Sequence, residues 1–411
     1  MSTAAPSRRS RAARQAESDD LERRRALGQF FTPAEVANFM WDMVEILRKR
    51  RWHESDNVID PACGDGAFLR VAIERGQKRN SCYGLDIDET LVPGWRKDAG
   101  VRGARVFLEN GLENHPDHGI VPGAFDLVIG NPPFAGTGLK NLLRLLPLPG
   151  KPTKQAPSLF AEERHEALGA NGAGGLGTIS RAEREQLDRL VRRLGGYQCW
   201  RLCDKKGGDD ASEAPSGRLF ADADVSLKRS GRATDYDRMA KAILTTPPGQ
   251  PLNGSLPEVR DAIRRMASTS IEVFFTERFV QLARPGGMIA VIVPESILAS
   301  DQLGPLRKWF LNQVQLMAVV SLPHKVFTGV GANARTGTIF ARRLTIAEER
   351  ANAEAKEIAP GLRMTPELKK SQVIMVSPNV EHGEWSLQHY LEGALESVRA
   401  PQQRATKESR K

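Results

Sequence analysis

The run Asn57-Val-Ile-Asp-Pro-Ala-Cys-Gly-Asp-Gly-Ala-Phe-Leu69 constrains this chain more than any other stretch. Val58-Ile59-Asp60 reads as a short strand closed by Pro61, and Phe68, Leu69, Val71 and Ala72 follow at helical spacing. Between them lies a turn with Gly64 and Gly66. Glycines there permit a left-handed backbone and let the main chain approach a ligand closely. The helix start beyond them carries N–H groups with no partner inside the helix. A strand that passes through a Gly-rich turn into a helix is the opening unit of a doubly wound α/β sheet, whose ligand sits at the C-terminal strand edge.

The same alternation continues on both sides. Pro33 opens a helix with Thr32 as its expected N-cap, and Val36, Phe39, Met40, Met43, Val44 and Leu47 recur along one face. Strands are expected at Cys82 to Leu85, ending in Asp86, at Val106 to Leu108, and at Phe125 to Ile129, ending in Gly130-Asn131-Pro132-Pro133. Beyond Gly136 the pattern breaks into Pro, Gly and charge clusters, including the run Gly169 to Gly177. One helix is expected there, with Ser180 and Glu183 as a capping box and Leu187, Leu190, Val191 and Leu194 on one face. The α/β pattern then resumes with a helix holding Ile271, Phe274, Phe275 and Leu282, stopped by Pro285-Gly286-Gly287. The strand Met288 to Val293, a helix around Leu306 to Leu311 and strands near Leu316 to Leu322 and Thr336 to Ala341 complete it. The expected division is a basic tail over 1–26, a first half of the sheet domain over 27–136, an insertion over 137–265, a second half over 266–345 and a polar extension over 346–411. The insertion is a candidate for target recognition or partner contact.

Composition bounds the class. A chain of 411 residues suits two or three domains and can bury a full core. No apolar run approaches the roughly 20 residues of a membrane span. The N-terminal MSTAAPSRRSRAARQ has no apolar stretch behind its arginines, which argues against a secretory signal. Four cysteines are too few for a disulfide scaffold and fit a reducing, cytoplasmic interior. With 59 Lys+Arg against 50 Asp+Glu, the net charge of +9 fits a polyanionic partner. The clusters Arg48 to Arg51, Arg192-Arg193 and Arg342-Arg343 are candidate phosphate contacts, or else solvated element ends. His324 reads as a surface residue after a strand, with a place near DNA as its alternative. Cys199 and Cys203 lack the further ligands a zinc site needs, so no metal is expected.

Asp86 stands about 20 positions beyond Gly66, the spacing of a carboxylate that accepts from ribose hydroxyls. This points to an adenosine-type cofactor. A dinucleotide fingerprint would need a third glycine where Leu69 stands. Asp60 also sets a carboxylate at the strand tip, which repels phosphate and attracts a sulfonium or ammonium. S-adenosylmethionine is therefore favoured over NAD(P).

Asp126-Leu-Val-Ile-Gly-Asn-Pro-Pro-Phe134 carries the reaction signal. A buried strand delivers Asn131 to the sheet edge, and two prolines fix the backbone behind it. The exocyclic nitrogen of adenine is a poor nucleophile, because its lone pair is delocalised into the ring. The Asn131 side-chain oxygen and the Pro132 carbonyl would hold both of its N–H groups and stabilise the charge that forms on methylation. Phe134 would stack on a base turned out of the duplex; its alternative is a place in the core behind the Pro-Pro turn.

Taken together, these segments resemble the N6-adenine DNA methyltransferases whose cofactor motif precedes the catalytic motif, as in type I and type II restriction-modification methylases. Asp60-Pro-Ala-Cys-Gly-Asp-Gly66 resembles their cofactor loop, Gly84-Leu-Asp-Ile-Asp88 their ribose-binding strand and Asn131-Pro-Pro-Phe134 their catalytic tetrapeptide. Gly28-Gln-Phe-Phe-Thr-Pro33 resembles the segment that closes over the methionine end of the cofactor. The resemblance covers residues 27–136 and 266–342. It implies a Rossmann-like S-adenosylmethionine-dependent methyltransferase sheet with a large insertion after the fourth strand. It further implies that Phe31, Thr32, Asp60, Ala62, Cys63, Gly64, Gly66, Asp86, Ile87 and Asn110 bind the cofactor, and that Asn131, Pro132, Pro133 and Phe134 hold the base. The family's acidic residue near the cofactor adenine is replaced here by Glu109-Asn110-Gly111, and either Glu109 or Asn110 is a candidate for its place. Double-stranded DNA is the implied substrate, with a specificity or restriction subunit as a further partner. Protein glutamine or RNA methylation, and a non-catalytic cofactor-binding subunit, are the rival readings, since a planar amide or amino group needs the same acceptors.

Overall fold

The computed structural model describes residues 30–48, 52–134, 181–202, 231–247, 252, 256–323, 326–327, 335–377 and 386–408. The expected tail, Gly28 and Gln29, Lys49 to Arg51, the Gly169 to Gly177 run, Ser180, Cys203 and His324 lie outside the described residues.

Eight strands form one sheet. They are β1 (Val58–Asp60), β2 (Cys82–Asp86), β3 (Arg105–Leu108), β4 (Phe125–Gly130), β5 (Ala283–Pro294), β6 (Val314–Leu322), β7 (Thr336–Arg343) and β10 (Ile374–Val376). A separate hairpin joins β8 (Glu357–Ala359) to β9 (Leu362–Arg363). The order across the large sheet is β10-β6-β7-β5-β4-β1-β2-β3, and β7 alone runs antiparallel to its neighbours. From β1 the chain steps outward to β2 and β3, then returns to pair β4 on the other side of β1. The strand order therefore reverses between β1 and β4, and in open α/β sheets the ligand crevice lies at that point. This is a Rossmann-like α/β fold.

Helices cover both faces. On one lie α1 (Ala34–Leu47), α2 (Ala67–Glu74) and, near the C-terminus, a 22-residue helix Leu387–Glu408. They share a core with Val58, Leu127 and Ile129. On the other lie α4 (Arg181–Gly195), α5 (Gly231–Leu244), α6 (Pro257–Ser268), α7 (Ile271–Leu282) and α8 (Gly304–Gln313), over Ile59 and Val128. A further helix, α3 (Val92–Lys97), follows β2 and buries Trp95. Alternate strand residues thus point to opposite faces, and both faces are buried. Each fully buried Phe or Met, such as Met40 and Phe274, contributes about 1.5–3 kcal/mol.

Three local expectations are corrected. Helix α1 starts at Ala34 with Pro33 as its cap residue and no side-chain capping bond, so Thr32 is not the N-cap. The Pro33 carbonyl accepts from both Val36 N and Ala37 N, which leaves the Thr32 side chain for the cleft described below. Pro285-Gly286-Gly287 does not stop α7; the helix ends at Leu282 and these residues already belong to β5. They form an irregularity against β4, between the pairs Phe125↔Ala283 and Leu127↔Met288, and Gly286 takes a left-handed φ of +77° there. The polar extension also supplies β10, paired parallel to β6. The described part of the 137–265 segment buries Leu190, Val191, Leu194, Tyr197, Trp200 and Ile243 in the same core as the strands.

Candidate functional site

A cleft of about 950 Å³, its open mouth included, lies at the C-terminal edge where β1 and β4 meet. Its floor is the turn between β1 and α2. Gly64 and Gly66 have φ of +53° and +87°, a region that favours glycine. The turn is pinned on every side: Cys63 N donates to the Leu85 carbonyl at 2.8 Å, Gly64 N to Asp86 Oδ2 at 2.9 Å, and Trp95 Nε1 to the Gly64 carbonyl at 2.8 Å. Gly66 lies beneath this floor against Val101 rather than in the cleft wall.

Two carboxylates face the cleft from the tips of β1 and β2. Asp60 is buried and accepts from Ala62 N at 3.0 Å. Burial raises its pKa well above the ordinary carboxylate range, and the charges of Asp86 and Asp65 add to that rise. Asp86 accepts from Gly64 N and from Asp88 N at 3.0 Å, and burial pushes it up to about 6. Burial likewise raises the Cys63 thiol, which speaks for a small lining residue rather than a nucleophile. Ile87 is 50% exposed beside Asp86 and offers an apolar face.

The third wall is the turn after β3. Asn110, Gly111 and Leu112 line the cleft. The Glu109 side chain is not part of the wall; it lies 3.6 Å from His115 Nδ1. Gly111 is required there, since a Cβ would sit 1.8 Å from the Pro61 carbonyl.

The segment before α1 closes the remaining side with Phe30, Phe31 and Thr32, and Asn131 and Pro133 reach the same cleft from the end of β4. A Cβ on Gly130 would lie 2.4 Å from Asp60 Oδ1, so the two strand tips meet in contact. Asn131 Nδ2 donates to the Phe30 carbonyl at 3.1 Å, while Asn131 Oδ1 is buried with no hydrogen-bond partner among the described residues. Phe134 is 1% exposed, with its ring 5.0 Å from that of Phe30 and edge-on to Phe327. Neither Pro132 nor Phe134 lines the cleft.

Sequence reasoning missed Leu190, Ile271 and Phe275, which also line the cleft. It missed Arg278 too, a fully buried cation on α7. The available signal was Arg278 beside Glu277 on a helix otherwise rich in buried apolar residues.

The acceptors lining the cleft fit S-adenosylmethionine. Asp60 and Asp86 suit a cation and a pair of hydroxyls, the glycine turn admits close main-chain approach, and the Asn131 oxygen awaits a donor.

The curated relatives match in short stretches. A type I restriction enzyme MjaIX methylase subunit of Methanocaldococcus jannaschii is 27% identical over 113 residues, 26% of this chain and 19% of that protein. The type II methyltransferase M.TthHB8I of Thermus thermophilus is 32% identical over 116 residues, 28% of this chain and 23% of that protein. The matches thus span about a quarter or less of these relatives. Among solved structures, a type I restriction-modification methyltransferase subunit from Streptococcus thermophilus aligns at 14% identity with a TM-score of 0.44, over 90% of this chain and 53% of that one. The N-6 DNA Methylase family model matches residues 21–144 and 239–345, more than half of the sequence and both halves of the sheet. The chain belongs to the N-6 DNA methylase family.

Proposed function

We propose that this chain transfers a methyl group from S-adenosylmethionine to the N6 of adenine in double-stranded DNA, as part of a restriction-modification or phage-defence system. The observation that carries the reading is Asn131. Its Oδ1 is buried without a partner among the described residues at the tip of β4, in the same cleft as Asp60 and the glycine turn. An unsatisfied buried acceptor costs about 1–3 kcal/mol, and a substrate amino group relieves that cost.

When bound, the cofactor supplies an electrophilic methyl group on a sulfonium. Asp60 and Asp86 would hold its cationic and ribose parts, the cation favouring the ionised form of the Asp60 carboxyl that burial alone disfavours, and Thr32, Phe31 and Ile87 would enclose it with Ala62, Cys63 and Gly64. Asn131 Oδ1 and the Pro132 carbonyl accept from the two N–H groups of the base. They hold the amino nitrogen in line and stabilise the positive charge that grows on it. Pro132 and Pro133 keep those acceptors rigid. Stacking of an extruded base on Phe134 requires Phe30 to leave the ring it now covers. No metal or covalent intermediate enters this displacement.

The partners in this reading are DNA and a separate specificity or restriction subunit, and its setting is the cytoplasm. The type I and type II names of the relatives support it. Among the described residues no helix is long and apolar enough to cross a membrane.

The test is transfer of labelled methyl from S-adenosylmethionine to unmethylated genomic DNA, with Asn131→Ala beside it. Label recovered as N6-methyladenine, and lost in the variant, supports the reading. Label that appears in protein or RNA but not in DNA, with cell extract added as a source of partners, overturns it.

A further inference from the structure

The wall formed by Asn110, Gly111 and Leu112 does not hold itself in place. The Leu112 carbonyl accepts from Tyr197 Oη at 2.8 Å and from Arg193 Nε at 3.3 Å. Arg278 Nε donates to the Gly111 carbonyl at 2.8 Å, and the same guanidinium donates to Asn114 Oδ1 at 2.8 Å and to the Glu113 carbonyl. Tyr197 and Arg278 are both 0% exposed. The neighbouring Glu277 accepts from Gln198 N and Cys199 N at 2.8 Å each, so α7 grips the turn with one side chain and the Tyr197 segment with the next.

A buried guanidinium is an expensive way to fill a core. Its desolvation costs several kcal/mol unless every donor finds a partner, and burial pulls the Arg278 pKa down to about 10. An apolar side chain of similar volume would pack as well. Among the described residues, every hydrogen bond the Arg278 guanidinium makes ends on residues 111–114, which argues that the shape of this turn matters beyond packing.

The shape bears on one group. Leu112 N donates to Asn110 Oδ1 at 3.0 Å, so fixing Leu112 also fixes the Asn110 amide. That bond fixes which end of the amide is the oxygen, and among the described residues no hydrogen bond engages the other end, the NH2, which is a donor. A carboxylate at that place would offer only acceptors.

We infer that Tyr197 and Arg278 are positioning residues for recognition of the cofactor's base, holding the Asn110 NH2 to donate to the N1 acceptor of adenine. The inference rests on the reading of the cleft as an S-adenosylmethionine site. It also assigns Tyr197 and Arg193, within the 137–265 segment, to the cofactor wall, where Leu190 already lies.

The test compares S-adenosylhomocysteine with S-inosylhomocysteine, titrated calorimetrically into the full chain. Hypoxanthine carries N1–H where adenine has a bare acceptor, so it meets the Asn110 donor with another donor. The wild type is expected to prefer the adenosyl ligand by about ten-fold or more. Tyr197→Phe and Arg278→Lys are expected to shrink that preference by about three-fold or more. Tyr390→Phe is the control: its hydroxyl donates to the Ser321 carbonyl at 2.5 Å, in the other core, and its loss should leave the preference at the wild-type value. If Tyr197→Phe does not fold, Arg193→Gln, which weakens the grip on the same carbonyl, carries the same readout. Equal loss of affinity for both ligands means the clamp only stabilises the fold, and the inference fails. A wild type that binds both ligands equally also overturns it, with the cofactor reading intact. A folded wild type that binds neither removes the cofactor reading itself, and this inference with it.

Discussion

Asn131 Nδ2 and the main-chain carbonyl of Phe30 meet at 3.1 Å, a hydrogen bond between positions 101 residues apart. A carbonyl can only accept, so the bond decides which end of the Asn131 amide faces Phe30 and which faces the cleft. The segment before α1 and the tip of β4 are thereby one unit. The orientation of a candidate catalytic oxygen depends on a residue far upstream.

From this relationship, Asn131→Ala is expected to cut methyl transfer by about 10²-fold or more, the loss seen when one preorganised polar group is removed from a charge-developing site. Binding of S-adenosylhomocysteine should change little, because Asp60, Asp86 and the glycine turn remain. Single-turnover methyl transfer and calorimetry on the same preparation separate the two. Parallel loss of both would show that Asn131 supports the cleft rather than the reaction.

Phe134→Ala removes a ring packed between Phe30 and Phe327 in the core. The expected cost is about 3–5 kcal/mol, the transfer loss plus the cavity left behind. Thermal melts should show the drop without any DNA present. An unchanged melting temperature would mean that Phe134 is not held in this core.

The acidity of Asp86 gives a pH dependence with a definite sign. Burial lifts its pKa to about 6 in the folded chain, against about 3.9 for an ordinary aspartate. The folded state therefore binds the proton more tightly than the unfolded state, and its contribution to stability falls as pH rises from about 4 through about 6. Cofactor binding runs the other way, because two ribose hydroxyls need an ionised acceptor. Affinity for S-adenosylhomocysteine is expected to rise through about pH 6 as Asp86 ionises. Titrations at several pH values from about 5 to about 8 check this, and a flat profile would remove Asp86 from the site.

Gly111→Ala would press a methyl group against the Pro61 carbonyl, a main-chain atom that cannot turn aside. The turn after β3 must then move away from the β1 tip, at a cost of about 1–3 kcal/mol or more. Weaker cofactor binding and a lower melting temperature are expected together. Gly76→Ala, whose added methyl meets nothing within 4 Å, is an imperfect comparison because its φ is +95°. Gly94→Ala is the better control, having both open space and an ordinary φ.

Much of the site was written locally. The glycine turn and the Asp86 spacing lie within a few dozen residues, where strand and helix periods and turn chemistry act without help from distant chain. The strand β4 and its terminal Asn131 were legible for the same reason. Of the two roles expected for Thr32, only the helix cap was wrong: Pro33 takes the cap position and its carbonyl accepts the first helical bonds, while Thr32 lines the cleft. Pro285-Gly286-Gly287 read as a stop because those residues usually punctuate; paired with β4, the same residues make an irregular stretch of strand.

What only the tertiary structure decided are the contacts made across long separations. The Phe30–Asn131 bond, the Arg278 grip on Gly111 across 167 positions and the Tyr197 bond to Leu112 have no period or spacing to announce them. Each follows from which helix packs on which face of the sheet, and that is fixed by burial of the whole core rather than by any local run of residues. The sequence by itself therefore determined the class of sheet and which residues stand at its edge. The packing of α4 and α7 decided how that chemistry is held.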